Sequence, residues 1–194
     1  MAIAVDSPAG TPAPAGSWVG GGAMPRDLAG RASPSVRSRT PEPKELVELA
    51  GYLAGARRCY PDPADSPNRR WELIVADETF EAWVIAWPPG GSIELHDHGG
   101  SRGAIAVRTG ELLETSVAQS SFGRFETRSR RLRRGDALAM AEGYVHDVVN
   151  PGRTEAMSVH VYAPRLTSMT YYRLSDGTLE IAETVDWDLR DTLS

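Results

Sequence analysis

Short runs of strand-forming residues, separated by turn signals, fill the chain from Trp71 onward and constrain its fold more than any other feature. Glycine, proline, asparagine and aspartate mark the turns, as in Pro88-Pro89-Gly90-Gly91 and Asp176-Gly177. This regularity predicts an all-β fold, a double-sheet jelly roll, and argues against helical di-iron folds. The predicted strands are Trp71 to Val75, Phe80 to Trp87, Ser92 to His98, Gly103 to Arg108, Leu112 to Ala118, Phe125 to Leu132, Asp136 to Met140, His146 to Asn150, Met157 to Ala163, Met169 to Leu174 and Thr178 to Val185.

The N-terminal part of the chain differs from this pattern. Residues 1–40 are rich in Pro, Gly, Ala and Ser and have no hydrophobic periodicity, so we expect a disordered arm followed by a single domain over residues 41–194. Thr40-Pro41-Glu42 predicts a helix start, with threonine as the N-cap. The helix should run to roughly Arg57 and pack its apolar stripe on the outside of the barrel; this stripe consists of Leu46, Leu49, Ala50 and Leu53.

All four histidines of the chain lie in patterns that suit metal binding. His96 and His98 are two residues apart on a predicted strand, so their side chains should point to the same face. His146 on a neighbouring strand can supply a third imidazole. We therefore predict a metal site formed by three histidines, with coordination positions left open for other ligands.

The fourth histidine belongs to a separate pattern, in which Ser158, His160 and Tyr162 alternate with valines on a predicted strand. The three polar groups should share one face and form a hydrogen-bonded chain. Two alternatives remain open from the sequence: the polar face looks at solvent, or His160 is a fourth metal ligand.

The spacing of these histidines and the surrounding glycines resembles the two sequence motifs of the cupin superfamily. The first motif reads Gly90, His96, His98, Gly103, Gly110, and the second reads Gly135, Ala141, Gly143, His146, Asn150. Two positions depart from the motifs: Gly103 replaces the usual acidic ligand, and Ala141 replaces proline. Three imidazoles without a carboxylate leave the full charge of a divalent ion to attract an anion such as a thiolate.

Among cupins, three histidines followed by Ser-x-His-x-Tyr resemble the thiol dioxygenases, above all the cysteine dioxygenase type I family in its bacterial form. The resemblance implies Fe(2+) held by His96, His98 and His146, and addition of both atoms of O2 to a thiol sulfur, with L-cysteine giving cysteine sulfinate. It also implies that Tyr162 and His160 act on the substrate or oxygen. Ser158 would anchor His160, and Gly103 rules out the cysteine–tyrosine crosslink of animal enzymes.

An arginine at a similar distance before the HxH pair binds the substrate carboxylate in that family. Arg70 is the best-aligned match and Arg69 the alternative; both could instead be surface residues. Competing functions are a dioxygenase of 3-mercaptopropionate or another small thiol, a non-enzymatic metal-binding cupin, and an isomerase or quercetin-type dioxygenase. An isomerase or a quercetin-type dioxygenase would normally have an acidic metal ligand at the position of Gly103.

Composition excludes several other classes. The 194 residues carry a net charge of −5 and no long apolar run, so we expect neither a membrane span nor nucleic-acid binding, and a monomer or small homo-oligomer. The arginine-rich run from Arg124 to Arg134 should be a solvated outer strand whose charges protect a sheet edge. The only cysteine, Cys59, cannot form an internal disulfide, which suggests a cytoplasmic protein.

Overall fold

The computed structural model describes residues 39–56 and 68–186, and these residues form one α-helix and eleven β-strands. All of them lie in one compact unit, Arg37–Trp187. The elements are α1 (Pro43–Gly55), β1 (Arg70–Ala76), β2 (Glu81–Trp87), β3 (Ser92–His96), β4 (Arg102–Thr109), β5 (Glu111–Gln119), β6 (Phe125–Arg133), β7 (Ala137–Met140), β8 (His146–Val149), β9 (Ala156–Ala163), β10 (Ser168–Ser175) and β11 (Thr178–Asp186). The predicted arm lies almost wholly outside the described residues, so its disorder stays a prediction, as does the division at residue 41.

The strands form two antiparallel sheets. One has the order β1-β2-β9-β4-β7 and the other the order β11-β10-β3-β8-β5-β6. Neighbouring strands in space are often distant in sequence, as where β9 pairs with both β2 and β4. This is the double-stranded β-helix, or jelly roll, that the sequence predicts, and all eleven predicted strands are present with small shifts at their ends.

The helix begins two residues later than predicted. Glu42, not Thr40, is the N-cap: it forms a capping box with Glu45, and Pro43 occupies the first turn. The residue before a proline is disfavoured in the helical conformation, so Pro43 moves the start past Glu42. The helix ends at Gly55, before the predicted limit at Arg57.

One face of α1 packs against the five-stranded sheet, as predicted. Leu46, Ala50 and Ala54 are buried there. The sheet residues of the same core cluster are mostly small, namely Ala82, Ala104, Ala106, Val159, Val161 and Ala163. Small side chains on both surfaces allow the helix and the sheet to approach closely. No helix among the described residues is long and apolar enough to cross a membrane.

Strand β9 is central to the five-stranded sheet, and both of its faces are covered. Val159 and Val161 contact the helix layer, so the alternate residues Ser158, His160 and Tyr162 point to the interior between the sheets. Their direct neighbours on β2 share that direction, as where Trp83 lies opposite His160. The prediction that the three polar groups share one face is confirmed, and that face is buried.

The arginine-rich strand β6 is an edge strand, as predicted. Most of its residues are exposed. Its arginines are nevertheless partly paired: Arg131 and Arg133 both contact Glu111. Arg130 is also paired, but its partner Glu114 is fully buried.

Candidate metal centre

Three histidines meet between the sheets: one ends β3, one lies just after it, and one begins β8. His96 is the last residue of β3, His146 the first of β8, and the two lie opposite each other in the sheet. Their rings are 4.7 Å apart, and the His98 ring lies 4.9 Å from His96 and 5.3 Å from His146. One ring nitrogen from each histidine lies within 4.8 Å of the others, and this is the one such group of possible metal ligands found in the described residues.

His98 lies outside β3, although the sequence predicts a strand that includes it. Strand β3 ends at His96, so simple strand alternation does not place His98; it follows in a turn. The intervening Asp97 fixes that turn, because its carboxylate accepts hydrogen bonds from the Gly99 amide (2.9 Å) and the Tyr172 hydroxyl (2.6 Å). The backbone amide of Asp97 also donates to the Thr170 carbonyl at 2.9 Å.

The three imidazoles fit a metal ion. The Nε2 atoms of His98 and His146 are buried and have no hydrogen-bond partner, a costly arrangement that a ligand would relieve. His96 places its Nδ1 2.7 Å from the Glu94 carbonyl, so Nδ1 carries the proton and Nε2 is free to coordinate. Burial, with further lowering by His146 at His96 and by His96 at His98, holds the pKa of both histidines well below the usual range, which favours the neutral form that binds metals.

A continuous hydrogen-bonded chain lies beside these histidines. The Trp87 indole donates to the Ser158 hydroxyl at 2.8 Å. Ser158 Oγ is 2.9 Å from His160 Nε2, and His160 Nδ1 is 3.1 Å from the Tyr162 hydroxyl. The Tyr162 ring lies 4.7 Å from the His98 ring, so the far end of the chain adjoins the metal centre.

The proton positions in this chain follow from what each group can donate. Ser158 is fully buried, and His160 Nε2 is the one acceptor recorded for its hydroxyl proton in the described part of the chain. His160 then carries its own proton on Nδ1 and donates it to Tyr162, leaving the phenol proton available to another acceptor. Burial lowers the pKa of His160 to about 3 and raises that of Tyr162, so both groups are neutral at pH 7.

This arrangement decides between the alternatives for the triad. His160 is 3% exposed and Tyr162 is 6% exposed, so the polar face does not look at solvent. Both ring nitrogens of His160 have partners within the triad. A fourth ligand at His160 would therefore require breaking one of these hydrogen bonds.

The two candidate arginines point in different directions. Arg70 lies opposite Ala86 on β2, on the helix side of the sheet, and its guanidinium binds Glu155 at 2.7 Å. The Arg69 side chain points to the other face, toward the interior, where its guanidinium lies over the rings of Trp71 (5.6 Å) and Trp87 (5.2 Å). Consecutive residues of a strand point to opposite faces of the sheet. The structure therefore brings Arg69, and not the predicted Arg70, to the interior.

Arg69 is in an unusual state for an arginine. Its Nη1 atom is buried and has no hydrogen-bond partner; the Arg70 Nε atom is also unpartnered, but Arg70 points to the other face of the sheet. Burial lowers its pKa, and the phenols of Tyr171 and Tyr162 are close enough to act on its charge. Tyr171 in turn lies opposite His96, with the two rings 6.0 Å apart. A desolvated, incompletely paired guanidinium next to the metal centre is suited to an anion.

Gly103, where the cupin motif has an acid, lies against the triad. A Cβ atom there would be 2.9 Å from the Val161 carbonyl oxygen and 3.0 Å from the Tyr162 ring. Both contacts are closer than real Cβ atoms normally allow, so a larger residue requires a shift of β9. The third nearest atom is the flexible end of Met140, at 2.8 Å.

Glu114 on β5 is a buried charged residue that the sequence patterns described above do not predict. Leu112, Glu114 and Ser116 alternate on the inward face of this strand, and a glutamate between two inward residues was a signal that could have been read. Trp87, the last residue of β2, is buried and donates to Ser158.

Solved structures that match part of this chain include three with TM-scores below 0.5. A protein of Thermus thermophilus is 23% identical, with 53% of this chain and 90% of that chain covered and a TM-score of 0.45. A cupin domain from Bordetella pertussis is 24% identical over 52% of this chain and 98% of its own, with a TM-score of 0.39. A Klebsiella pneumoniae protein described as having a double-stranded β-helix domain is 20% identical, covering 76% and 99%, with a TM-score of 0.41.

A family comparison is more specific. The model of cysteine dioxygenase type I matches residues 58–175. The match covers more than half of the chain and includes all three histidines, the Ser158-His160-Tyr162 triad and both candidate arginines. The chain therefore belongs to the cysteine dioxygenase type I family.

Proposed function

We propose that this protein is an iron(II)-dependent thiol dioxygenase that converts L-cysteine to cysteine sulfinate. In the reaction the thiol R–SH takes up both atoms of one O2 molecule and becomes R–SO2H, with no other reductant. The observation that carries the proposal is the juxtaposition of three buried histidines, a buried Ser-His-Tyr chain and the inward-facing Arg69, whose Nη1 atom is buried without a partner. Family membership supports the reaction class, whereas the metal and the substrate are proposals.

The three histidines would bind the ion through Nε2. A ferrous ion at this position would supply the redox chemistry with dioxygen, which neither an amino-acid side chain nor zinc can provide. Three neutral ligands contribute no negative charge, and the packing around Gly103 leaves no space for an added carboxylate without movement of β9. The centre thus keeps its affinity for an anionic thiolate.

Tyr162 would act as a hydrogen-bond donor to the substrate or the oxygen. His160 accepts from Ser158 and donates to the phenol oxygen, so this oxygen is already engaged and its proton points elsewhere. Trp87 fixes the other end of the chain through Ser158. An oriented donor in a water-poor site stabilises developing negative charge without reorganising during the reaction.

Arg69 would bind the substrate carboxylate. Its charge is desolvated, one of its nitrogens has no partner, and the two tryptophan rings hold its plane. A planar guanidinium can donate two parallel hydrogen bonds to a carboxylate. This assignment replaces Arg70, whose guanidinium is engaged by Glu155.

A second candidate is a 3-mercaptopropionate dioxygenase, because the feature that favours cysteine, an inward-facing arginine with a buried, unpartnered nitrogen, favours any small thiol with a carboxylate. A non-enzymatic metal-binding cupin is less consistent with the structure, since it would not need a buried Ser-His-Tyr chain. We also propose a cytoplasmic location, supported by the single cysteine of the sequence. The expectations of no nucleic-acid or membrane binding, and of a monomer or small homo-oligomer, stay predictions.

Oxygen consumption by the iron-loaded protein tests the proposal, with L-cysteine, 3-mercaptopropionate and cysteamine as substrates. Sulfinate formed under labelled dioxygen should contain two labelled oxygen atoms. The zinc-loaded protein is the control and should be inactive. Faster turnover of 3-mercaptopropionate would move the protein to the second candidate, and no sulfinate from any thiol would refute the dioxygenase proposal.

A further inference from the structure

We propose that Glu114 is a positioning residue for the metal site, which orients His146 through its Nδ1 atom and is itself fixed by Tyr144 and Arg130. The inference rests on the proposed function, in that His146 must bind a metal through Nε2. It adds a group that the three-histidine pattern does not contain, and it assigns a role to one member of the arginine-rich strand.

The geometry places Glu114 next to His146. The two residues lie on adjacent strands and point to the same interior face: His146 is opposite Ser116, two residues along β5 from Glu114. Glu114 Oε1 is 3.5 Å from His146 Nδ1, and both side chains are almost fully buried. This separation is longer than an ordinary hydrogen bond. Nδ1 has no other partner recorded in the described residues, so Glu114 is the acceptor available to it.

Two further side chains fix the carboxylate. The Tyr144 hydroxyl donates to Glu114 Oε1 at 2.7 Å, and Arg130 Nε lies 2.9 Å from Oε2 in an ion pair that lacks hydrogen-bond geometry. Arg130 also donates to the Tyr144 hydroxyl at 2.9 Å, which closes a ring of three groups. Arg130 lies directly opposite Glu114 in the sheet, so it can reach the interior from an otherwise exposed strand.

A fully buried carboxylate costs free energy unless it is paired, and this one is paired by an arginine that gives up part of its hydration. On the same inward face of β5, Leu112 is apolar and Ser116 carries only a hydroxyl, so Glu114 is the residue that places a charge there. The carboxylate faces a ring nitrogen of a metal-ligating histidine. Such an acceptor fixes the imidazole tautomer with the proton on Nδ1, directs Nε2 toward the ion and makes the ligand more basic.

The arrangement also bears on the missing acid at Gly103. The metal site contains no carboxylate among its ligands, but Glu114 brings one next to a ligand. Arg130 compensates its charge, so the site gains orientation of His146 without gaining a net negative charge. The affinity for an anionic substrate is thereby kept.

Metal binding by two variants at this position tests the inference. Glu114→Leu removes the acceptor and the charge, whereas Glu114→Gln keeps an acceptor oxygen and removes only the charge. Cobalt(II) affinity, measured by competition with a chelator, should fall by about 10- to 100-fold in the leucine variant and by less in the glutamine variant. The visible spectrum of bound cobalt should change as well, because the orientation of one ligand changes.

A matched control is available on the opposite sheet. Glu81 is also fully buried, but its carboxylate accepts from the Trp83 indole at 3.0 Å and contacts no metal-site histidine. Glu81→Gln should leave cobalt affinity and spectrum unchanged, even if it lowers thermal stability. A general effect of altering a buried glutamate would appear in both positions, and this result would overturn the inference.

The remaining outcomes are also distinguishable. If the unaltered protein binds no divalent metal, the proposed function fails, and the role of Glu114 at a metal site fails with it. If it binds cobalt and both Glu114 variants bind equally well with the same spectrum, the inference fails and the proposed function stands. Should the leucine variant not fold, Glu114→Gln and Tyr144→Phe provide the test, since each must weaken binding or alter the spectrum for the inference to hold.

Discussion

Replacing Arg69 with methionine tests the substrate site most directly. Methionine keeps an unbranched, apolar side chain between Trp71 and Trp87 but removes the guanidinium. The matched variant is Arg70→Met, which changes the neighbouring residue on the opposite face of the sheet. Arg70 binds Glu155, whereas Arg69 lies over the ring of Trp87 in the interior. The two variants should therefore differ in both activity and stability.

The magnitude for Arg69 follows from its surroundings. The guanidinium has an unpartnered buried nitrogen, so a carboxylate can accept charge-assisted hydrogen bonds from it without displacing a protein partner. Losing that contact should cost about 2 to 4 kcal/mol, or roughly 30- to 900-fold in kcat/KM for cysteine. Cysteamine has no carboxylate, and its kcat/KM should change by less than about threefold.

Arg70→Met should leave kcat/KM for both thiols unchanged and lower stability. The Arg70–Glu155 pair is largely buried, with side chains 27% and 16% exposed. Removing the arginine leaves Glu155 without this partner, at a cost of about 1 to 3 kcal/mol in the free energy of unfolding.

Oxygen consumption and sulfinate formation with cysteine and cysteamine measure the first pair of effects, and urea unfolding measures the second. An equal loss for both thiols in Arg69→Met would mean that Arg69 is structural. A selective loss of cysteine turnover in Arg70→Met would refute the directional argument from strand alternation. Either outcome would require a different carboxylate site.

Three further predictions concern the triad and its surroundings. Tyr162→Phe removes only the phenol hydroxyl, so the protein should retain iron, measured by metal analysis, while turnover falls by roughly 10- to 100-fold. Gly103→Ala should destabilise the protein by about 1 to 3 kcal/mol in urea unfolding because its Cβ would meet the Val161 carbonyl at 2.9 Å, whereas Gly100→Ala, with nothing within 4 Å, should change stability little. The pKa of His160 is about 3 in the folded protein, against an ordinary 6.5, so the unfolded state takes up its proton first as the pH falls. The contribution of neutral His160 to the free energy of unfolding is fully present above about pH 6.5 and is lost toward about pH 3, by about 1.4 kcal/mol per pH unit. His160→Gln should remove this contribution to the pH dependence. Urea unfolding of the chelator-treated protein at pH 7, 6 and 5 measures it.

Local patterns in the sequence were enough to predict the architecture. Turn residues separate eleven strands, and the alternation of Ser158, His160 and Tyr162 with valines predicts their shared face, because strand direction is a property of consecutive residues. The glycine and histidine spacing predicts the metal ligands for a similar reason. This spacing gives the number of residues that connect the histidine-bearing strands, and these strands must lie close together in a jelly roll.

Other features depend on contacts between segments far apart in the chain. His98 joins the other histidines because Asp97 is bound by Tyr172 on β10, a contact over 75 residues of sequence. Arg69 rather than Arg70 faces the interior because the pairing of β1 with β2 sets which residue points inward. Neither partner is visible from the local sequence.

Glu114 shows the same division within one residue. Its position between two inward-facing residues of β5 is readable from the sequence, so its burial could have been predicted. Its partners are not readable, because Arg130 and Tyr144 come to it only through the register of β5 with β6 and the turn before β8. Local sequence thus determined the elements and the candidate ligands, while strand register and long-range hydrogen bonds decided which side chains surround them.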